Sequence, residues 1–387
     1  MNDIRTGRWR AVLTSTMLAF AGCVGDASAQ VAIDPLVATQ LPERPGPHWV
    51  WVNDIVFHHM ADGKAFLLDG DSGSMLGMLS TGFAFNGVVR PASSPLIYSP
   101  EIYFSRGTRG TRTDVVTVYD GRTLAPMTEI AIPAKRASSM PMLANARLTD
   151  DERFLLIYNF TPSQSVTVVD MAARKAVGEI ETAGCALVYP TGSREFFSLC
   201  SDGTALQVRL DDAGQLASKA RSKVLFDASE DPVTEKAVRD GSTWLFTSFT
   251  GTVVPIDISG NVPQVRATWS LLDVAARKES WRPGGLQHLA FHGPSRRLYS
   301  LMHVGGTDTH KDPGTEIWVY DVDKRNRVQR FVLKDIASSI AVTQDAQPLL
   351  FTVFIGAQKV AVYDASSGEH RRTIDEIGFT PTTLVTY

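Results

Sequence analysis

The chain has 387 residues, 20% of them charged and 44% hydrophobic, with a formal net charge of −3 at pH 7. That mildly acidic balance, without a basic stripe, excludes nucleic acid as a general partner. Beyond the first thirty residues no apolar run is long enough to cross a bilayer, so no membrane partner is expected.

The first element is a leader. Arg5, Arg8 and Arg10 precede an apolar stretch from Ala11 to Val24, and Ala27-Ser28-Ala29 supplies a small-x-small cleavage pattern. Residues 1–29 read as a signal peptide cleaved before Gln30, which directs the chain to the periplasm. Cys23 after Ala21-Gly22 offers a lipid-anchor alternative, although Phe20 stands where such sites take an aliphatic residue. Residues 30–48, with prolines at 35, 42, 45 and 47, read as an extended arm. The run "HWVWVNDIVF" then reads as an early strand that pairs with the last repeat and closes a circle.

From there one pattern recurs: a β-rich run ending in Asp, a short polar turn, and a second β-rich run. The aspartates are Asp69, Asp120, Asp170, Asp211, Asp257, Asp321 and Asp364, spaced 51, 50, 41, 46, 64 and 43 residues apart. Further strand-like runs between the copies, such as "RFLLIYNF" and "TWLFTSF", bring each repeat to four strands, the size of a propeller blade. The expected fold is all-β, a seven-bladed β-propeller with four-stranded blades, forming a single domain over residues 49–387. Each repeated Asp has a structural task, ending a strand and accepting backbone N–H groups in the turn that follows. The step of 64 residues contains an insertion, "SLLDVAARKESWRPGGLQ", whose residues 271–280 are helical in composition and stopped by Pro283-Gly284-Gly285. In "THKDPG", Pro313-Gly314 is expected to make a hairpin turn, with His310 and Lys311 as surface or subunit-contact residues.

Without Cys23, two cysteines remain, Cys185 and Cys200. In an exported chain the pair is expected to form a disulfide, with two buried thiols as the alternative. The loop it closes, about 15 residues, corresponds to roughly 3 kcal/mol of loop-closure entropy.

No catalytic constellation emerges from spacing. His58-His59 are adjacent, so on a strand they face opposite ways. His288 and His292, on a strand, lie too far apart for one metal. "RGTRGTR" (106–112) reads as a hairpin tip, and the chain has no nucleophile elbow, phosphate loop or dinucleotide fingerprint.

The run "WRPGGLQHLAFHGPSRRLYSLMHVGGTDTHKDPGTEIWVYD" (281–321) resembles the heavy subunit of quinoprotein amine dehydrogenases, the methylamine and aromatic-amine dehydrogenase family. "VWVNDIVFHH", "IYFSRGTRGTRTDVVTVYD", "SLLDVAARKESWRPGG" and "VTQDAQPLLFTVF" agree, so the likeness covers residues 45–387. It implies a seven-bladed propeller, with the cysteine pair where that family has its single disulfide. It implies an H2L2 assembly with a small subunit carrying tryptophan tryptophylquinone, and no cofactor or catalytic residue in this chain. Primary amines would be oxidised to aldehyde and ammonia, with electrons passed to a cupredoxin of the amicyanin or azurin type. In that family a heavy-subunit Phe lines the substrate channel, in a segment matching "STGFAFNGVV"; Phe83 and Phe85 are both candidates. The rival reading is a stand-alone exported propeller serving as a binding or scaffold protein, since the fold alone does not decide. A lactonase-like enzyme would need central metal-binding acids that the sequence does not assign.

Overall fold

The computed structural model describes residues 39–83, 85 and 87–387. The leader and most of the arm lie outside the described residues. Seven antiparallel sheets form a seven-bladed β-propeller. Blade 1 combines Trp49–Asp54, Gly63–Asp69 and Met75–Gly82 with the C-terminal strand Pro381–Thr386. Blade 2 is built from Ile97–Arg106, Arg109–Tyr119 and Pro126–Ile132, and its innermost position is a single bridge, Val89 to Tyr98.

Blades 3 and 4 each have four strands, beginning at Ala146–Leu148 and Cys185–Gly192. Blades 5 and 6 gain a fifth short strand, and blade 7 begins at Ser339–Val342.

The ring closes inside blade 1. Trp49–Asp54 pairs on one side with Gly63–Asp69 and on the other with Pro381–Thr386. The early strand therefore does not join the last blade; the last strand comes to it. Asp54 pins this seam. Its buried carboxylate accepts from the N–H groups of Val56 (2.7 Å), Phe379 and Thr380 (3.0 Å), and from the Thr380 hydroxyl (3.0 Å).

Seven clusters of buried apolar side chains bridge neighbouring blades, six drawing on two blades and one, around Tyr158, Tyr189 and Phe246, on three. The second and third strands of a blade are thus covered on both faces and read as continuous apolar runs. Phe154–Asn159 and Ser165–Asp170 are buried throughout, while the outer strand Leu216–Arg221 is exposed throughout.

All seven repeated aspartates end the third strand of their blade and accept backbone N–H groups of the next turn. Asp120 takes those of Arg122 (2.9 Å) and Thr123 (2.8 Å); Asp364 takes those of Ser366 (3.0 Å) and Ser367 (2.9 Å). Asp69, Asp170, Asp211, Asp257 and Asp321 do the same.

Strand alternation puts these turns, with those linking the first and second strands, on one face of the ring. The remaining loops, including residues 55–62, residues 83, 85 and 87, and residues 305–313, emerge on the other. We call these the turn face and the loop face.

Two local expectations are corrected. The inserted helix is short, Val274–Lys278, capped by Asp273 accepting from Ala276 N at 2.8 Å. It ends at Ser280, whose φ is +60°, and Trp281–Pro283 is already a strand paired with Arg297–Val304. The "THKDPG" turn forms through Asp312 N donating to Thr309 O (2.9 Å), and Gly314 begins the next strand. Pro313 fixes φ for entry into that strand and does not make the turn.

Candidate functional site

Phe83 and Phe85 lie on the loop between blades 1 and 2. Gly82 turns the chain there with φ +72°, and a Cβ at that position would stand 2.8 Å from the Ile102 carbonyl oxygen. Phe83 N donates to that carbonyl at 2.8 Å, and the Phe83 ring meets Phe104 edge-on at 5.1 Å. Phe85 goes elsewhere. It lines a small cavity of about 30 Å³ with Val88, Pro100, Arg136, Pro141 and Met142, and its carbonyl accepts from the Arg136 guanidinium at 3.4 Å. Val88 N donates to Asn53 Oδ1 at 3.2 Å, which ties the loop to the closing seam.

Below the loop is a buried ionic network. Arg112 grips Asp114 through two 2.6 Å bonds and donates to the Arg136 carbonyl at 2.9 Å; Arg136 N reaches Asp114 at 3.3 Å. Burial draws the Arg136 guanidinium down to about 10 against the pull of Asp114, so it stays a cation at neutral pH.

Glu101 is fully buried beside this network and receives the hydroxyls of Thr117 (2.5 Å) and Tyr103 (2.6 Å). The Tyr119 hydroxyl lies 2.9 Å from Glu101 and 2.8 Å from the Ser80 carbonyl. It has one proton, and the carbonyl can only accept. When Tyr119 serves Ser80, the Glu101–Tyr119 contact is made only if Glu101 carries a proton. Burial raises the Glu101 carboxyl above its ordinary value, although these hydroxyls oppose the shift.

A second group forms between blades 5 and 6. His288 is fully buried, with Nε2 2.7 Å from the Thr247 hydroxyl. His303 Nε2 reaches Thr309 at 3.1 Å, and His310 stacks on Phe249 at 3.8 Å. Lys236 pairs with Glu235 at 3.0 Å inside the protein. Burial lowers all three imidazoles, His288 most strongly, and Lys236 depresses His288 and His310 further. They are neutral at pH 7. Their Nδ1 atoms are buried without a hydrogen-bond partner among the described residues.

The sequence reading separated these histidines. His310 is half-buried and stacked, while Lys311 is exposed. His58 and His59 occupy a turn after Trp49–Asp54, not a strand, and the His58 ring meets Phe379 at 6.0 Å. Among the described residues no group of three His, Cys, Asp or Glu is arranged to hold a metal.

Cys185 and Cys200 form a disulfide between directly opposed residues of neighbouring strands in blade 4. Glu101, Arg136, Glu235 and Lys236 escaped sequence reasoning, because each sits among ordinary strand or loop residues. Their importance comes from burial that only the ring closure creates.

A tryptophan-derived quinone needs two indoles in contact and open to substrate. Among the described residues only Trp281 and Trp318 have indole rings in contact, at 5.1 Å. Trp318 is fully buried, its N–H held by Glu316 at 2.7 Å, with Arg327 over its ring at 4.3 Å. That pair does not fit a centre that substrate must reach.

Exposed aromatics concentrate on the loop face. Phe57, Phe160 and Phe379 are 63%, 53% and 55% exposed, and all three lie in its loops.

Residues 47–387 match the family described as "Methylamine dehydrogenase heavy chain (MADH)". A methylamine dehydrogenase heavy chain from Methylorubrum extorquens is 29% identical over 365 residues, covering 93% of this chain and 87% of that protein. Its counterpart from Paracoccus versutus is 30% identical over 351 residues, covering 89% and 81%. Among solved structures, the dihydro-heme d1 dehydrogenase NirN superposes with a TM-score of 0.55 at 17% identity, covering 90% of this chain and 80% of that one, a likeness of fold alone. The chain belongs to the methylamine dehydrogenase heavy chain family.

Proposed function

We propose that this chain is the heavy subunit of a periplasmic amine dehydrogenase that oxidatively deaminates primary amines to aldehyde and ammonia. In this reading residues 1–29 are removed on export, 30–48 form an arm and 49–387 are a single domain. Two copies assemble with two light chains, whose tryptophan tryptophylquinone supplies the electron sink, and a cupredoxin of the amicyanin or azurin type takes the electrons. The observation that carries the reading is the match of nearly the whole propeller to a family of heavy chains.

The light chain sits on the loop face. Support comes from Phe57, Phe160 and Phe379, exposed apolar surface of the kind that marks an interface. This chain's own task is to shape access. Phe83, its ring committed to Phe104, anchors the loop. Phe85, its carbonyl held by Arg136, is the side chain free to wall the amine's path and exclude water.

The chain is expected to copurify with a small quinone-absorbing subunit; isolation alone as a stable monomer favours the scaffold reading. In the reassembled complex, Phe85→Ala is expected to shift the kcat/KM ratio of a bulky amine over methylamine by about tenfold, as a pocket change of this size permits. Phe83→Ala is expected to act less selectively. Unchanged ratios in both variants would remove the gate from this chain.

A further inference from the structure

The inner strands enclose a central cavity of about 680 Å³, within the range of small-molecule sites. Its lining runs from Met142, Lys236 and Gln287 at the loop face to Asp150, Gly241 and Gln344 at the turn face. Between these ends the wall is largely apolar, with Val88, Leu148, Val238, Leu289 and Val342.

The charged residues of this lining are almost all accounted for. Arg239 holds Asp150 at 2.8 Å, Arg296 holds Asp240 at 2.7 Å, and Lys236 holds Glu235 at 3.0 Å. Glu152 accepts from the backbone N–H of Ala92 and Ser93. Arg90 stacks on the Tyr387 ring at 3.8 Å and donates to the Pro91 carbonyl at 3.3 Å.

Arg147 differs. It stands on the inner strand Ala146–Leu148 and lines the cavity, and it has no ion pair or hydrogen bond among the described residues. Its Nε is fully buried. Enclosure disfavours the charged form, yet a guanidinium does not deprotonate at neutral pH. A desolvated, uncompensated cation is costly to keep unless something answers it.

We propose that the central cavity binds a small organic monocarboxylate, anchored by Arg147. A guanidinium presents a planar fork that a carboxylate matches with two parallel bonds. The apolar wall suits a hydrocarbon body. With Asp150, Glu235 and Asp240 paired to cations, Arg147 leaves one positive charge to answer, which favours a monocarboxylate over a dianionic phosphate. The site adjoins the Phe85 cavity, sharing Val88 and Met142 with it, but its anchor Arg147 does not line that cavity, and the proposal does not depend on the amine dehydrogenase reading.

The test is calorimetric titration of the purified full chain with benzoate, and with inorganic phosphate at equal ionic strength. Wild type is expected to bind benzoate saturably with one site, and phosphate at least tenfold more weakly. Arg147→Gln is expected to weaken benzoate by about tenfold or more, as the loss of a charge-assisted pair implies. Lys219→Gln, on an exposed outer strand, should leave it unchanged. Arg147→Met is expected to keep or raise the melting temperature while losing the benzoate-induced rise seen in wild type. A flat wild-type titration overturns the site, whatever the variants do. Equal benzoate affinity in Arg147→Gln overturns the anchor, and phosphate binding without benzoate binding overturns the ligand class.

Discussion

On the turn face the seven blades resemble one another; on the loop face they differ. Each turn-face Asp is bonded to its own turn within a few residues, so the sequence repeat and the structural repeat coincide. The loop face is held by partners from distant parts of the chain. Asp54 joins residues 56, 379 and 380, Arg136 spans to Phe85, and His288 meets Thr247. Local bonds make a scaffold that tolerates change one blade at a time. Long-range bonds give individual geometry, and each is exposed to failure of the ring as a whole.

The sharpest way to break this comparison is Asp54→Ala. It strips the acceptor from three N–H groups and one hydroxyl at the seam, and a buried unsatisfied donor costs about 1–3 kcal/mol. A loss of roughly 3 kcal/mol or more is expected in denaturant unfolding. Asp120→Ala, whose partners lie in its own turn, is expected to lose about 1 kcal/mol, as for a lost helix cap. Equal losses would erase the distinction between the faces.

The disulfide is the covalent counterpart, intermediate between the two. Replacing both Cys185 and Cys200 with Ser is expected to cost roughly 3 kcal/mol through the short loop they close. Because the two strands are also paired in register, the ring should persist, with unchanged far-UV circular dichroism and a lower melting temperature.

What was legible in the sequence follows the same division. Asp69 to Asp364 announced seven blades because the turn that needs each carboxylate is encoded beside it. The C-terminal strand Pro381–Thr386 gave no such signal, since its register depends on a partner more than 300 residues away. Glu101 reads as one more acid near a hairpin, and Lys236 as part of a polar loop; neither shows that neighbouring blades will bury it. Phe83 and Phe85 were singled out together, and only the fold separates them, one onto Phe104 and the other beside Arg136.

The smallest predicted effect distinguishes the two faces by sign. Asp120 stays partly open to solvent, and its bonds from Thr123 and Arg122 hold its carboxyl below the ordinary value of 3.8. The folded state therefore binds its proton less readily than the unfolded chain. The stability it contributes is present above pH 4 and lost as pH falls through the folded pKa. Glu101 runs the other way. Burial raises its carboxyl above the ordinary 4.5, so the folded state holds the proton more tightly. Its contribution is present at acid pH and lost as pH rises from that value through the folded pKa. Asp120→Asn should therefore be less stable than wild type at pH 6 by no more than about 1 kcal/mol, given the exposure, with the gap closing toward pH 3. Glu101→Gln should gain on wild type as pH rises from 4 to 7. Tyr119→Phe removes one of the hydroxyls that hold the Glu101 pKa down and should raise it further, moving that gain to higher pH. Stability curves measured across pH for the three variants check the signs, and parallel slopes for Asp120→Asn and Glu101→Gln would show that the faces do not differ electrostatically.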